Sequence, residues 1–311
     1  MQNEPNINSV RPEFFTPINR NSTDSEKIER NRLTAWQDIK LRLLSNKLAM
    51  TGLWITIAVL LFAVFAPLLS SFDHFTNDLA NSNQPPSLKH WFGTDELGRD
   101  LFVRTWKGAQ VSLFIGVVAA LIDLVIGIIY GGIMGYYGGK VDEVMNRFAE
   151  ILYAIPYLLV VILLLVVMEP SLTTIIIAMS ITGWINMAWI VRGQMMQLKN
   201  QEYALASKAL GAGSMRIIFR HLIPNAMGPI LVTLTLTVPG AIFTEAFLSF
   251  LGLGVQSPVA SWGTMINDGV GSMEIFPWRL FFPALFLSVT MFAFNVFGDG
   301  LRDAFDPKLK K

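Results

Sequence analysis

The stretch Leu48–Ser70 contains no charged side chain. An α-helix needs about 20 apolar residues to cross a hydrocarbon core ~30 Å thick, and five further stretches meet or approach that length. Val111–Tyr136 carries one charge, Asp123. Ile151–Met168 and Leu172–Val191 carry none. Met227–Val255 carries Glu245, and Phe281–Gly298 completes the set. No water is available inside a bilayer, so each segment must satisfy its own backbone as a helix. Pro67, Pro156 and Pro239 fall inside these runs and are read as tolerated. The expected fold class is therefore all-α: a polytopic membrane protein with six transmembrane helices.

The composition agrees and removes other classes. Of 311 residues, 52% are hydrophobic and only 15% charged, against about 25% charged in a soluble domain. There is no cysteine and only three histidines, His74, His90 and His221, so neither a disulfide framework nor a metal cluster is expected. A net charge of +1 leaves no footprint for nucleic acid. A P-loop reads G-x-x-x-x-G-K-[ST]. Its nearest approach is Gly139-Lys140, which Val141 follows and Met134 precedes. No H-E-x-x-H and no serine–histidine pair lies in a span, so no catalytic residues are expected.

Nineteen of the 24 Lys and Arg residues fall on one side of a six-span arrangement. By the positive-inside rule both termini belong in the cytoplasm of a multi-pass cell (plasma or inner) membrane protein. The loops Phe72–Gly108 and Gln256–Trp278 are then external and the loop Gly193–Asn225 internal. The first ~46 residues are polar, which reads as a signal anchor without a cleavable leader.

Four regions are expected. Residues 1–33 form a flexible cytoplasmic tail. Residues 34–108 comprise a surface helix over Thr34–Asn46, with Trp36, Ile39 and Leu43 at helical spacing, then the first span and the outer loop. Residues 109–300 form the core, with an internal elbow at 193–225, and residues 301–311 a cytoplasmic tail. Gly127, Gly131, Gly135 and Gly139 recur every four residues, a groove for close approach of another helix.

The elbow is the most informative segment. Asn200 is placed to cap a short helix ending at Leu210, and Gly211 to supply the left-handed stop. Ser214 then caps Met215–Leu222, which is expected to stop before Pro224. Ala206, Ser207 and Ala209 form a small-residue face pointing away from the membrane, suited to seating in a cleft. Nothing in the elbow performs chemistry.

These residues carry a resemblance. Ala206-Ser207, Gly211 and Ile223-Pro224 resemble the "EAA…G…I-LP" cytoplasmic loop of type I ABC importer permeases. His90–Asp100 is similar to that family's "HWFGTDELGRD" outer-loop signature. Ala246–Gly254 with Ser261-Trp262-Gly263 is similar to "A-LSFLGLG…SWG", and Gly298–Pro307 to "GDGLRDALDP". Together they resemble the oligopeptide/dipeptide permeases of the OppC/DppC kind over roughly residues 40–311.

The resemblance implies a permease subunit of an ATP-driven oligopeptide importer, forming half of the translocation path. It implies three kinds of partner besides membrane lipid: a homologous second permease, two cytoplasmic ATPase subunits that use ATP and Mg, and an extracytoplasmic peptide-binding protein. No cofactor is expected on this chain. Glu202, Leu205, Ala206, Ser207, Lys208, Ala209, Gly211, Ala212 and Pro224 would then couple to the ATPase. The family's usual glutamate falls on Leu205 here, and Glu202 is the nearest carboxylate. Asp95, Arg99 and an exposed Trp262 are candidates for receiving the binding protein; an interfacial place for Trp262 is the alternative. Two other functions stay open: an ion-gradient-driven carrier using Asp123 and Glu245, and a permease of the same family for nickel or another small solute.

Overall fold

A computed structural model describes residues 34–256 and 258–306. The tail expected over 1–33 and the end of the chain beyond 306 lie outside the described residues. Within them, twelve α-helices are present and no strand, only an isolated bridge between Thr94 and Asp100.

The chain enters on α1 (Ala35–Ser45), where Thr34 accepts from the Gln37 amide while the Gln37 side chain accepts from the Thr34 amide. This reciprocal cap satisfies two orphan donors at once. A helix is therefore present where one is expected, and Trp36 packs edge-on against Phe305 at 5.9 Å. The first span, α2 (Lys47–Leu69), follows directly.

The second span, α3 (Leu101–Tyr137), is the longest helix together with the run formed by the elbow and the fifth span. At 1.5 Å per residue it extends roughly 55 Å, beyond the hydrocarbon core. Its start corrects the expected boundary at residue 108, which falls inside the helix. Arg104 and Lys107 lower the local hydropathy, yet Asp100 caps the helix through the Val103 amide at 2.9 Å.

The third apolar stretch corrects the reading of Ile151–Met168 as one helix. It is a pair, α4 (Gly139–Ala154) and α5 (Tyr157–Met168), bent by 78°. Pro156 has no N–H, and Ile155 before it is extended (φ −74°, ψ 126°). Proline pushes its predecessor out of the helical region, and here no neighbour restores the helix.

The fourth span is α6 (Leu172–Thr182) and α7 (Trp184–Leu198), nearly continuous through Gly183. The elbow helices α8 (Glu202–Ala209) and α9 (Ser214–Ile217) come next, then α10 (Ile223–Phe250), α11 (Trp262–Val270) and α12 (Trp278–Phe305). The last helix runs through Phe305, so residues 301–305 are its final turn and not a separate tail.

Helix α3 is central: it packs against α2, α6, α7, α10 and α11. Its glycine row explains the closest approach. A Cβ on Gly127 would stand 2.6 Å from the Met187 side chain, one on Gly131 would run into the Ala188 carbonyl, and one on Gly135 would stand 2.7 Å from Met195 Cβ. Gly139 has open space around it and belongs instead to the α3–α4 turn, with φ +52°.

Candidate functional site

Three regions carry the predicted residues: the elbow, the outer loop, and the interior between α3, α6, α7 and α10.

The elbow is set by its glycine. Helix α8 ends at Leu210, and Gly211 adopts φ +82°. The Gly211 amide donates to the Ser207–Lys208 turn at the Lys208 carbonyl (3.0 Å), and the Ala212 amide to the Ser207 carbonyl (3.1 Å). This paired bonding is a Schellman stop, which closes the last turn on itself. Three local expectations change. Gln201, not Asn200, occupies the cap position of α8 and without a side-chain bond; the Asn200 amide donates to Met196 instead. Gly213, not Ser214, takes the cap position of α9, and without a side-chain bond. Nor does the second elbow helix stop before Pro224. A π-helical turn over Ile218–Leu222, in which the Ile223 amide reaches the Ile218 carbonyl, leads straight into α10. Widening the turn absorbs the donor that Pro224 lacks. The elbow and the fifth span are thus one apolar run, Ser214–Phe250.

Glu202, Ala206, Lys208, Ala209, Gly211 and Pro224 are exposed, and Ser207 and Ala212 half-buried. Leu205 is 52% exposed, Leu210 89% and Met215 51%. Ala204 is buried and, with Ile217, Ile218 and Leu222, seats the elbow on α7 and α10.

The outer loop is a closed knot. Asp95 Oδ1 accepts from the Leu97 and Arg99 amides, both at 2.9 Å, and its Oδ2 from Arg99 Nε at 2.7 Å. Arg104 Nε lies 3.4 Å from the same oxygen. Asp100 holds His90 Nδ1 at 2.9 Å while capping α3. Gly93 and Gly98 take φ +80° and +74°, and a Cβ on Gly98 would run into the Asp78 carbonyl. Arg279, which the sequence reading passed over, reaches across from α12 to Glu96 (3.0 Å) and Asn83 (3.3 Å).

Asp95 and Arg99 are accordingly buried, at 5% and 7% exposure. They tie the loop together and do not present a surface to a partner. Trp262 is corrected more sharply. It is fully buried, with its indole N–H on the Thr105 carbonyl at 3.0 Å. The capping box of Ser261 and Thr264 starts α11 there, and Gly263 allows α11 to lie on the Ala246 backbone.

Glu245, which an ion-gradient carrier would use, is fully buried in α10. Its carboxylate accepts from Ser112 and Ser249, both at 2.7 Å, and Ser112 accepts from the Trp262 amide. That network locks α3, α10 and α11 together. Asp123 is different: Oδ1 is buried without a hydrogen-bond partner, and the carboxyl borders a cavity of about 490 Å³ between α3, α6, α7 and α10, with Tyr153 and Tyr157 of α4 and α5 at its edge.

Comparison with known proteins decides what this architecture belongs to. The family described as "Binding-protein-dependent transport system inner membrane component" matches residues 124–311. The "N-terminal TM domain of oligopeptide transport permease C" matches residues 34–86. The chain belongs to this permease family. Among its relatives, the oligopeptide transport system permease protein OppC of Bacillus subtilis is 61% identical over 305 residues, covering 98% of this chain and 100% of the relative. The dipeptide transport system permease protein DppC of the same organism is 56% identical, covering 98% and 95%. OppC of Escherichia coli K12 is 46% identical, covering 91% and 95%.

A solved structure titled as inward-facing conformations of the MetNI methionine ABC transporter aligns with a TM-score of 0.53 at 17% identity. It covers 64% of this chain and 95% of that one, a likeness of fold alone. The chain is thus an integral membrane permease of the OppC/DppC type, and family membership displaces the ion-gradient carrier.

Proposed function

We propose that this chain is one half of the translocation path of an ATP-driven oligopeptide importer, and that α8 is the point at which ATPase subunits grip it. It pairs with a homologous second permease, two cytoplasmic ATPase subunits and an extracytoplasmic peptide-binding protein. ATP and Mg are used in those ATPase subunits, and this chain holds no cofactor. Both termini lie in the cytoplasm.

The observation that carries the coupling reading is the elbow's exposed apolar tip. Leu205 and Leu210 project from α8 and its cap, a helix of eight residues that is too short to cross a bilayer, and Met215 projects from the start of the run that follows. Exposed apolar patches of this kind mark protein interfaces. Leu205 in place of a carboxylate makes this contact one of apolar burial rather than ion pairing.

Motion at the elbow has a direct route inward. Helix α9, the π-helical turn and α10 form one run, and α10 supplies Thr233, Thr237 and Thr244 to the cavity wall. Closure of the ATPase pair would draw the elbows together and swing that wall. Hydrolysis would reset it.

The test is uptake in proteoliposomes containing all the subunits, with defined peptides from two to six residues supplied on the binding protein. ATP-dependent accumulation is expected. Accumulation of nickel with none of any peptide would overturn the substrate class, and uptake driven by an ion gradient without ATP would overturn the mechanism.

A further inference from the structure

Asp123 lies near the middle of the apolar run Val111–Tyr136, where an ionisable group is costly and marks function. It is 95% out of contact with solvent by area (5% exposed) and makes no hydrogen bond or ion pair among the described residues. The Glu245 carboxylate, by contrast, is fully satisfied by serines.

The position is built to keep Asp123 where it is. Gly183, at the junction of α6 and α7, lies against the carboxyl, and a Cβ there would stand 2.8 Å from Asp123 Cγ. Any larger residue would displace the acid from the cavity.

Helix α10 brings a matching chemistry to the same cavity. Thr233, Thr237 and Thr244 follow one face of α10 at helical spacing. Each already donates its hydroxyl proton to a carbonyl of its own helix: Thr233 to Pro229 (2.8 Å), Thr237 to Thr233 (2.9 Å) and Thr244 to Gly240 (2.9 Å). A hydroxyl has one proton and two lone pairs, so these threonines offer the cavity acceptors only. No lysine or arginine lines it. The lining also holds Tyr153, Thr182, Asn186 and Tyr157, the last with a buried hydroxyl that has no partner. A single unpaired carboxyl in a cavity with several neutral polar groups and no basic side chain suits a small cation with several N–H donors.

We propose that this cavity is a transit site for a primary ammonium group, with Asp123 as its counter-charge and the α10 threonines as neutral acceptors. Assigning that ammonium to the N-terminus of a peptide rests on the peptide-importer reading; the preference for a cation does not. The free amino end would then enter this subunit's wall of the path. A single carboxyl among neutral acceptors holds such a group loosely enough to release it.

The experiment uses the complete reconstituted complex. This chain has no cysteine, so Thr237→Cys places one thiol on the cavity wall. Its modification during turnover is timed with a trimethylammonium methanethiosulfonate and with the sulfonate analogue. Adding Asp123→Asn should lower the cation-to-anion rate ratio about tenfold or more, because one unit charge in a low-dielectric cavity acts on both reagents in opposite directions. Asp123→Ser repeats the comparison with a smaller side chain, in case the amide disturbs packing at Gly183. An unchanged ratio, or a thiol reached by neither reagent, overturns the site.

Uptake of tetra-alanine and of N-acetyl-tetra-alanine supplies the second arm. Asp123→Asn should slow the free peptide several-fold more than the acetylated one. Equal slowing of both, with a lowered ratio in the first arm, overturns the ammonium assignment. Failure of the unsubstituted complex to import either peptide is a failure of the peptide-importer reading, and it is seen before Asp123 is touched.

Discussion

Gly211 separates two roles that usually coincide in one residue, backbone stop and interface. Its φ of +82° disfavours any residue with a Cβ, at a cost of roughly 1–2 kcal/mol. Yet a Cβ there would meet nothing within 4 Å, so the methyl group of an alanine has room within this chain. Gly211→Ala should therefore keep most transport, with a modest fall in thermal stability. Gly211→Arg should insert and pair with the second permease normally but abolish both uptake and the stimulation of ATPase by loaded binding protein. Near-normal uptake by the arginine variant would remove the elbow from the mechanism. At the outer face the expectation is the reverse. Asp95 is a buried anion between Arg99 and Arg104. Removing one partner of a buried pair leaves uncompensated charge, worth about 3–5 kcal/mol. Asp95→Ala should thus cut the yield and melting temperature of the complex, while the folded fraction binds loaded binding protein with unchanged affinity. Selective loss of that affinity, at normal stability, would restore Asp95 to the surface role.

Among the elements, the glycine row of α3 makes the firmest prediction. Gly131 lies against the Ala188 backbone, and helices in lipid associate through such close packing rather than through a hydrophobic gain. Gly131→Leu should force α3 and α7 apart and abolish assembly, measured as loss of copurifying second permease; Gly139→Ala, facing open space, should not. That row was legible in the sequence because small residues at a four-residue spacing have one dominant use in a membrane. The spans were legible for a similar reason: apolar length alone decides them. What the sequence left open depended on neighbours. Pro67 and Pro239 stay inside helices while Pro156 breaks one, and nothing local to these prolines distinguishes them. Trp262 sits in an uncharged loop and so reads as exposed, but its burial is decided by α3 and α10. The Ser261–Thr264 capping box was the available sign that a helix begins there. Asp100 as a cap was likewise visible, though Arg104 and Lys107 drew attention away from the long start of α3.

The whole molecule turns on how often it crosses the membrane. Among the described residues five helices are long and apolar enough to span, and α4–α5 makes a sixth crossing only if the bent pair traverses. At 12 residues α5 covers roughly 18 Å, too little for a span without part of α4. The two possibilities differ in parity. If the pair crosses, three crossings separate the outer loop from the elbow, which then lies opposite it. If the pair is re-entrant, the elbow shares a side with the outer loop, and Lys199, Lys208, Arg216 and Arg220 face outward against the positive-inside rule. Six crossings are the arrangement that reconciles the helices with the charges. Single cysteines at exposed positions decide it. Leu88 is 99% exposed in the outer loop and Leu210 89% exposed in the elbow, and Pro170 is exposed between α5 and α6. An impermeant maleimide applied to intact cells should label Leu88→Cys and Pro170→Cys. It should label Leu210→Cys only after the membrane is opened. Labelling of the Leu210 variant in intact cells, with Pro170→Cys protected, would make α4–α5 a re-entrant hairpin and place the elbow beyond the reach of any cytoplasmic ATPase.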